Sequence, residues 1–144
     1  MPLAPLVDIA NRHSDKVAVS GRNNLPAAIL DFAAGAAIAP RRIVKFDAAA
    51  NTVIQSAAAT DLHIGVYQGE VAAKAGEDAA IGVDGIVEVE AGAAITQGAT
   101  LTSDAQGRAV TAATGNHAWG TALGSAAGAG AVIKARIAAR VILA

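Results

Sequence analysis

Apolar and polar residues alternate along this chain in short runs that fit strands better than helices. From Ile86 to Glu90, Val87 and Val89 fall on one side and Glu88 and Glu90 on the other, the period-two pattern of a half-buried strand. Thr100 to Ser103 and Arg108 to Ala112 read as two strands joined by Asp104-Ala105-Gln106-Gly107, where Asp opens a hairpin turn and Gly supplies positive φ. Asp47-Ala48-Ala49-Ala50-Asn51 repeats that arrangement earlier, with Asn51 as the left-handed residue. Leu62 to Tyr67 and Ala118 to Leu123 are strands with a central glycine, Gly65 or Gly120, which marks a bulge or a close backbone approach. Ala72 to Ala79 and Gly124 to Gly130 read as small-residue linkers, with a helix over 71–80 as an alternative that Gly76 weakens. Ile133 to Leu143 alternates apolar residues with Lys134, Arg136 and Arg140, a strand with a basic face; Ile133, Ile137 and Val141 also have helical spacing.

The pattern is used twice. ILDFAAGAAI at Ile29 to Ile38 matches IVEVEAGAAI at Ile86 to Ile95, an offset of 57 residues that also sets Val44 on Leu101, Asp47 on Asp104, Ala48 on Ala105 and Val53 on Val110. Two copies of this length suit one pseudo-symmetric domain better than a solenoid, which needs three or more shorter units. The expected organisation is an N-terminal arm over residues 1–25, then a β-barrel domain over 26–144 with pseudo-repeats at about 29–83 and 86–143. The arm holds polar turn formers around the short alternation Lys16 to Ser20.

Composition refines this all-β reading. Hydrophobic residues make up 53% of the 144, but 39 are alanines and aromatics are 3%, so each buried position contributes little apolar area and self-association is expected to supplement a thin core. A net charge of −1 without runs of like charge gives no electrostatic footprint for nucleic acid or an anionic membrane. With no cysteine, disulfides, thiolate metal sites and cysteine nucleophiles are excluded. The start, MPLAPLVDIANRHSD, lacks a basic region followed by an apolar one, and no uninterrupted apolar run approaches a membrane span, so the protein is expected to be soluble and unexported.

Candidate chemistry is sparse. His13, His63 and His117 are too scattered for a ligand pair, and no acidic ligand set recurs beside them. Asp84, Glu88 and Glu90 resemble a glycosidase carboxylate set only superficially, because the copy-one positions of the last two hold Asp31 and Ala33. They fit better as solvated sheet charges or as partners for Lys134, Arg136 and Arg140 on a neighbouring strand. Ser103 and Ser125 lie outside any G-x-S-x-G elbow, and Gly128-Ala129-Gly130 lacks the third glycine of a dinucleotide fingerprint. No catalytic residue, metal ligand or cofactor is assigned.

The order of the second copy carries a resemblance. Glu90-Ala91-Gly92, Ile95 and Gly98 lead into Thr102-Ser103-Asp104 and Gly107, then Gly120 with Ala122-Leu123 and a closing strand at Ile133 to Ile137. From about Ile29 onward the chain resembles the small capsid decoration, or cement, proteins of tailed bacteriophages. The resemblance implies a small, tulip-like β-barrel, usually a homotrimer, made in the host cytoplasm and seated on the outside of the mature capsid, where it clamps subunits of the major capsid protein. Under it, the arm residues Leu3, Leu6, Val7 and Ile9 become candidate capsid contacts, as do Arg41 and Arg42, whose copy-two positions hold Gly98 and Ala99. Glu88, Glu90, Lys134, Arg136 and Arg140 become candidate subunit-interface charges. The alternative is a carrier module of the biotinyl/lipoyl type, which needs a modifiable lysine on a tight hairpin; Lys74 is the candidate, without the flanking residues of that motif.

Overall fold

The computed structural model describes residues 27–138. They form nine strands: β1 (Ala28–Ala34), β2 (Ile43–Phe46), β3 (Thr52–Gln55), β4 (His63–Tyr67), β5 (Asp78–Glu90), β6 (Thr100–Ser103), β7 (Ala109–Thr111), β8 (Gly120–Ala122) and β9 (Val132–Ile137). The expected arm and Arg140 lie outside the described residues. Among those described there is no helix, and the alternative over 71–80 gives way to a turn closed by the Glu77 amide on the Lys74 carbonyl. Gly76 in that turn has a φ of 87°, which an α-helix does not admit.

The strands order as β1-β3-β2-β4-β5-β9-β8-β6-β7, and β1 also pairs with β5. That extra ladder closes β1, β3, β2, β4 and the first half of β5 into a five-stranded barrel. The second half of β5 repeats the scheme with β9, β8, β6 and β7. Leu30 faces Ile81 across the β1–β5 ladder, and Val87 faces Ala135 across β5–β9. Val44 stands opposite Gly65, as Leu101 stands opposite Gly120. The parallel contact of Ala34 with Val53 recurs as a single bridge from Ala91 to Ala109. Ile38 and Ala73 exchange two backbone hydrogen bonds of 2.9 Å, and so do Ile95 and Ala126. The Asp47 and Asp104 turns occupy the same place in the two units, with Asn51 at φ 54° and Gly107 at φ 75°.

Two cores follow from the two units. Ala34, Ile38, Val44, Val53, Tyr67, Ala79 and Ile81 fill the first. Val87, Val89, Ile95, Leu101, Trp119, Ile133 and Ala135 fill the second, joined by Ile43 and Val66 from copy one. Strands β2 and β4 therefore send Val44 and Tyr67 into their own barrel and Ile43 and Val66 toward the neighbouring one. Complete burial of each such valine or isoleucine is worth about 1.5–3 kcal/mol, so these two residues help fuse the halves.

Candidate functional site

The residues that differ between copies meet at the seam between them. Arg41 sits in the turn before β2 with a φ of 60°, where its counterpart Gly98 has 91°. A side chain in that region costs about 1–2 kcal/mol relative to glycine, so the arginine is held there by what its guanidinium reaches. Its Nε donates to Glu88 Oε1 at 3.1 Å, and its Nη1 donates to the carbonyls of Gln68 (2.8 Å) and Gly69 (2.7 Å). Gln68 in turn brackets the Glu88 backbone, donating to its carbonyl at 2.9 Å and accepting from its amide at 3.1 Å. Arg42 continues the seam, donating to Glu90 Oε2 at 3.3 Å and to the Gln106 carbonyl at 2.9 Å. Its Nε is buried with no hydrogen-bond partner.

Both ion pairs are partly buried and lie inside one chain. Glu88 also stands directly opposite Lys134 on β9, while Arg136 is exposed opposite Ile86. On β9 Lys134 stands opposite Glu88 and Val132 opposite Glu90, while the ion pairs of the two glutamates run to the Arg41-Arg42 turn. Sequence reasoning missed that pairing because some 47 residues separate the partners. The legible signal was Arg41 at a position that its sister copy gives to glycine. Arg41→Ala is expected to lose about 2 kcal/mol of stability, and Arg41→Gly about 1 kcal/mol less than that, because glycine removes the backbone cost along with the clamp. Urea denaturation of both variants measures the difference; equal losses would show that the left-handed conformation carries no strain.

A second polar cluster joins the two copies through His63, Thr102 and His117. His63, at the start of β4, is 6% exposed. Its Nδ1 is 2.9 Å from Ser56 Oγ and its Nε2 is 3.4 Å from Thr102 Oγ1. Thr102 Oγ1 also lies 3.0 Å from the Ala59 carbonyl and 2.9 Å from the His117 carbonyl, and its single hydrogen is shared between these two acceptors. Nε2 therefore carries the proton toward Thr102, and Ser56 donates to Nδ1. Burial, and then the charge of His117 at a ring separation of 5.5 Å, push the His63 pKa down to about 4. Nearby, burial alone would raise the Asp61 carboxyl, but the Ala57 amide, Lys45 at 3.1 Å and the Ala58 amide together hold it below the ordinary range. His63 spends both ring nitrogens on neighbours in this chain. Among the described residues no three His, Asp or Glu side chains converge as a metal site would require.

Above the histidines is a groove of about 540 Å³. It is lined by matching positions of the two copies: the start of β4 (Leu62, His63, Ile64) with the approach to β8 (His117, Ala118, Trp119), and the middle of β5 (Val83, Asp84) with the end of β9 (Ile137, Ala138). Around copy one the surface is also apolar, with Leu30 and Phe46 each about half exposed and Phe46 set edge-on to Phe32 at 5.8 Å. The corresponding positions in copy two, Val87 and Ser103, are buried. Lys74 heads the Lys74 to Glu77 turn, its amide held by the Glu77 carboxylate at 2.7 Å.

A closed five-stranded barrel thus shares strand β5 with a second five-stranded unit built on the same scheme, and the charged and apolar seams lie where the two meet. The profile of the phage cement proteins matches residues 64–137, from β4 through β9 and slightly more than half of the chain. The chain belongs to the phage cement protein family. Membership identifies it as a structural protein of the phage head. The fold has a solved relative: the N base of the head fibre gp8.5 in bacteriophage phi29 superposes with a TM-score of 0.61 at 18% identity, covering 81% of this chain and 98% of that one. A comparison with curated protein sequences finds no match. The family match takes in Glu88, Glu90, Lys134 and Arg136; Arg41, Arg42 and the arm fall before it.

Proposed function

We propose that this cement protein acts as a trimer on the outer surface of the mature capsid, bridging subunits of the major capsid protein and stabilising the shell. The observation that carries this reading is the family match over residues 64–137, which takes in β4, the shared strand β5 and strands β6 to β9 of the second copy. The alanine-rich cores support it too, since a domain that buries little area per residue gains from association with neighbours. The arm, with Leu3, Leu6, Val7 and Ile9, is the proposed capsid contact, and Glu88, Glu90, Lys134, Arg136 and Arg140 are the proposed charges at or near subunit contacts. Arg41 and Arg42 act in this reading by fixing the seam that holds the docking face in shape. No reaction is assigned, and the family places the protein with structural components rather than with carriers modified at a lysine such as Lys74.

Antibody labelling of intact purified virions tests the location. Label is expected on unopened heads, and a head that takes label only after disruption would contradict an outer position. Deleting residues 1–20 is expected to leave the trimer mass by light scattering unchanged while weakening decoration.

A further inference from the structure

The two units of the chain join through unlike faces. Copy one offers the outer face of β2, β4 and β5, where Ile43 and Val66 are fully buried in the second core and a Cβ built on Gly82 would strike Val87. Copy two receives that face around Val87. A contact between unlike faces leaves one of each kind unused. The unused receiving face belongs to copy one: Leu30, the repeat position of Val87, is 52% exposed, and Phe32 on the same side of β1 meets Phe46, itself 53% exposed. The unused outer face belongs to copy two. Thr121 and Ile86 flank Arg136 there as Val66 and Ile29 flank Gly82, so Arg136 holds the place of the glycine that lies against Val87. Arg136 is exposed, and so are Leu123 and Val132 on the same side of β8 and β9.

The charges of the two unused faces are opposite. Asp31 and Asp47 adjoin Leu30 and Phe46 in sequence and have no ion pair among the described residues, because Lys45 is taken by Asp61 at 3.1 Å. Their repeat positions in copy two, Glu88 and Asp104, are each paired with an arginine. Arg136 likewise has no ion pair among the described residues. We infer that the outer β8–β9 face of one molecule covers the Leu30-Phe32-Phe46 face of a second copy, repeating between chains the contact that joins the units within each chain and bringing Arg136 onto Leu30 beside the Asp31 carboxylate. This rests on the trimer proposed above and gives it a geometry, a head-to-tail ring of three chains in which the two kinds of unit alternate. Thr100 and Thr121 stand where copy one has Ile43 and Val66, so the contact between chains is more polar than the one inside them.

The chain has no cysteine, which allows the contact to be trapped with introduced ones. Leu30→Cys and Arg136→Cys, both at exposed positions, are made in separate full-length chains and checked for strand content by circular dichroism. Mixed and oxidised with glutathione disulfide, the two are expected to give a disulfide-linked dimer on a non-reducing denaturing gel, while either variant alone stays a single chain. A chain carrying both substitutions should yield linked species that stop at three chains. Arg136→Glu is expected to raise the concentration at which the trimer dissociates at least tenfold, and adding Asp31→Arg should recover most of that loss. An unaltered chain that is a trimer by light scattering but whose mixed cysteine variants do not link would overturn the head-to-tail contact alone. Efficient linking of Leu30→Cys to itself would overturn it too, since the apolar face would then meet its own copy. An unaltered chain that is a monomer at about ten micromolar would remove the trimer reading and this contact with it.

Discussion

Replacing Gly120 with alanine is expected to destabilise the protein by about 3 kcal/mol or more, a large share of the roughly 5–15 kcal/mol that holds a domain folded. A Cβ built on Gly120 lies far inside contact distance of the Arg136 carbonyl oxygen on β9, and one built on Gly65 does the same to the Gly82 carbonyl on β5. Both obstacles are backbone, which cannot rotate away as a side chain end would. The collision falls in the β4–β5 ladder of one copy and the β8–β9 ladder of the other, since Val66 pairs with Gly82 and Thr121 with Arg136. Gly65→Ala is therefore expected to match Gly120→Ala in size. Gly124→Ala and Gly128→Ala, with no atoms near the added carbon, should stay within about 0.5 kcal/mol of the unaltered chain. Urea midpoints for the four variants make the comparison, and tolerance of Gly120→Ala would mean that β8 and β9 are not packed as described.

Acid should remove a second large increment through His63. Its pKa near 4 in the folded chain lies below the ordinary 6.5, so the native state requires the neutral ring while the unfolded chain takes up a proton more readily. The associated stability is whole above about pH 6.5, declines as pH falls, and is gone below about pH 4, a loss of about 3 kcal/mol for a shift of this size. Asp61 acts over a different window: its carboxyl is held below 3.8, so its contribution fades only under more acidic conditions. His63→Asn should start less stable at pH 7, having lost its fit between Ser56 and Thr102, and then show a much flatter profile from pH 6.5 to 4. A variant as acid-sensitive as the parent would move the effect to another group.

The sequence made the repeat and the turns legible because their causes are local. Asp104 and Gly107 announce a hairpin by residue type, as Asp47 and Asn51 do. Val87 and Val89 declare a buried face by alternation alone. The glycines at 65 and 120 were readable as close approaches, although their partners were not. What remained hidden depends on distant residues. The repeats divide at about residues 84–85, yet β5 runs unbroken across that point from Asp78 to Glu90 because β1 and β4 pair with its first half and β9 with its second. The hydrogen bonds of His63 draw on Ser56, seven residues away, and Thr102, 39 away, so no local spacing reveals them. Arg41 and Glu88, 47 residues apart, meet only through the tertiary fold.

The most direct test of the decoration role is to add purified full-length protein to mature capsids that lack it and to sediment the mixture. The account predicts saturable co-sedimentation at a fixed number of copies per capsid, with added density on the outer face by cryo-electron microscopy and a higher temperature of capsid opening. Protein that stays in the supernatant at every concentration, while capsids disrupt at their undecorated temperature, would contradict it.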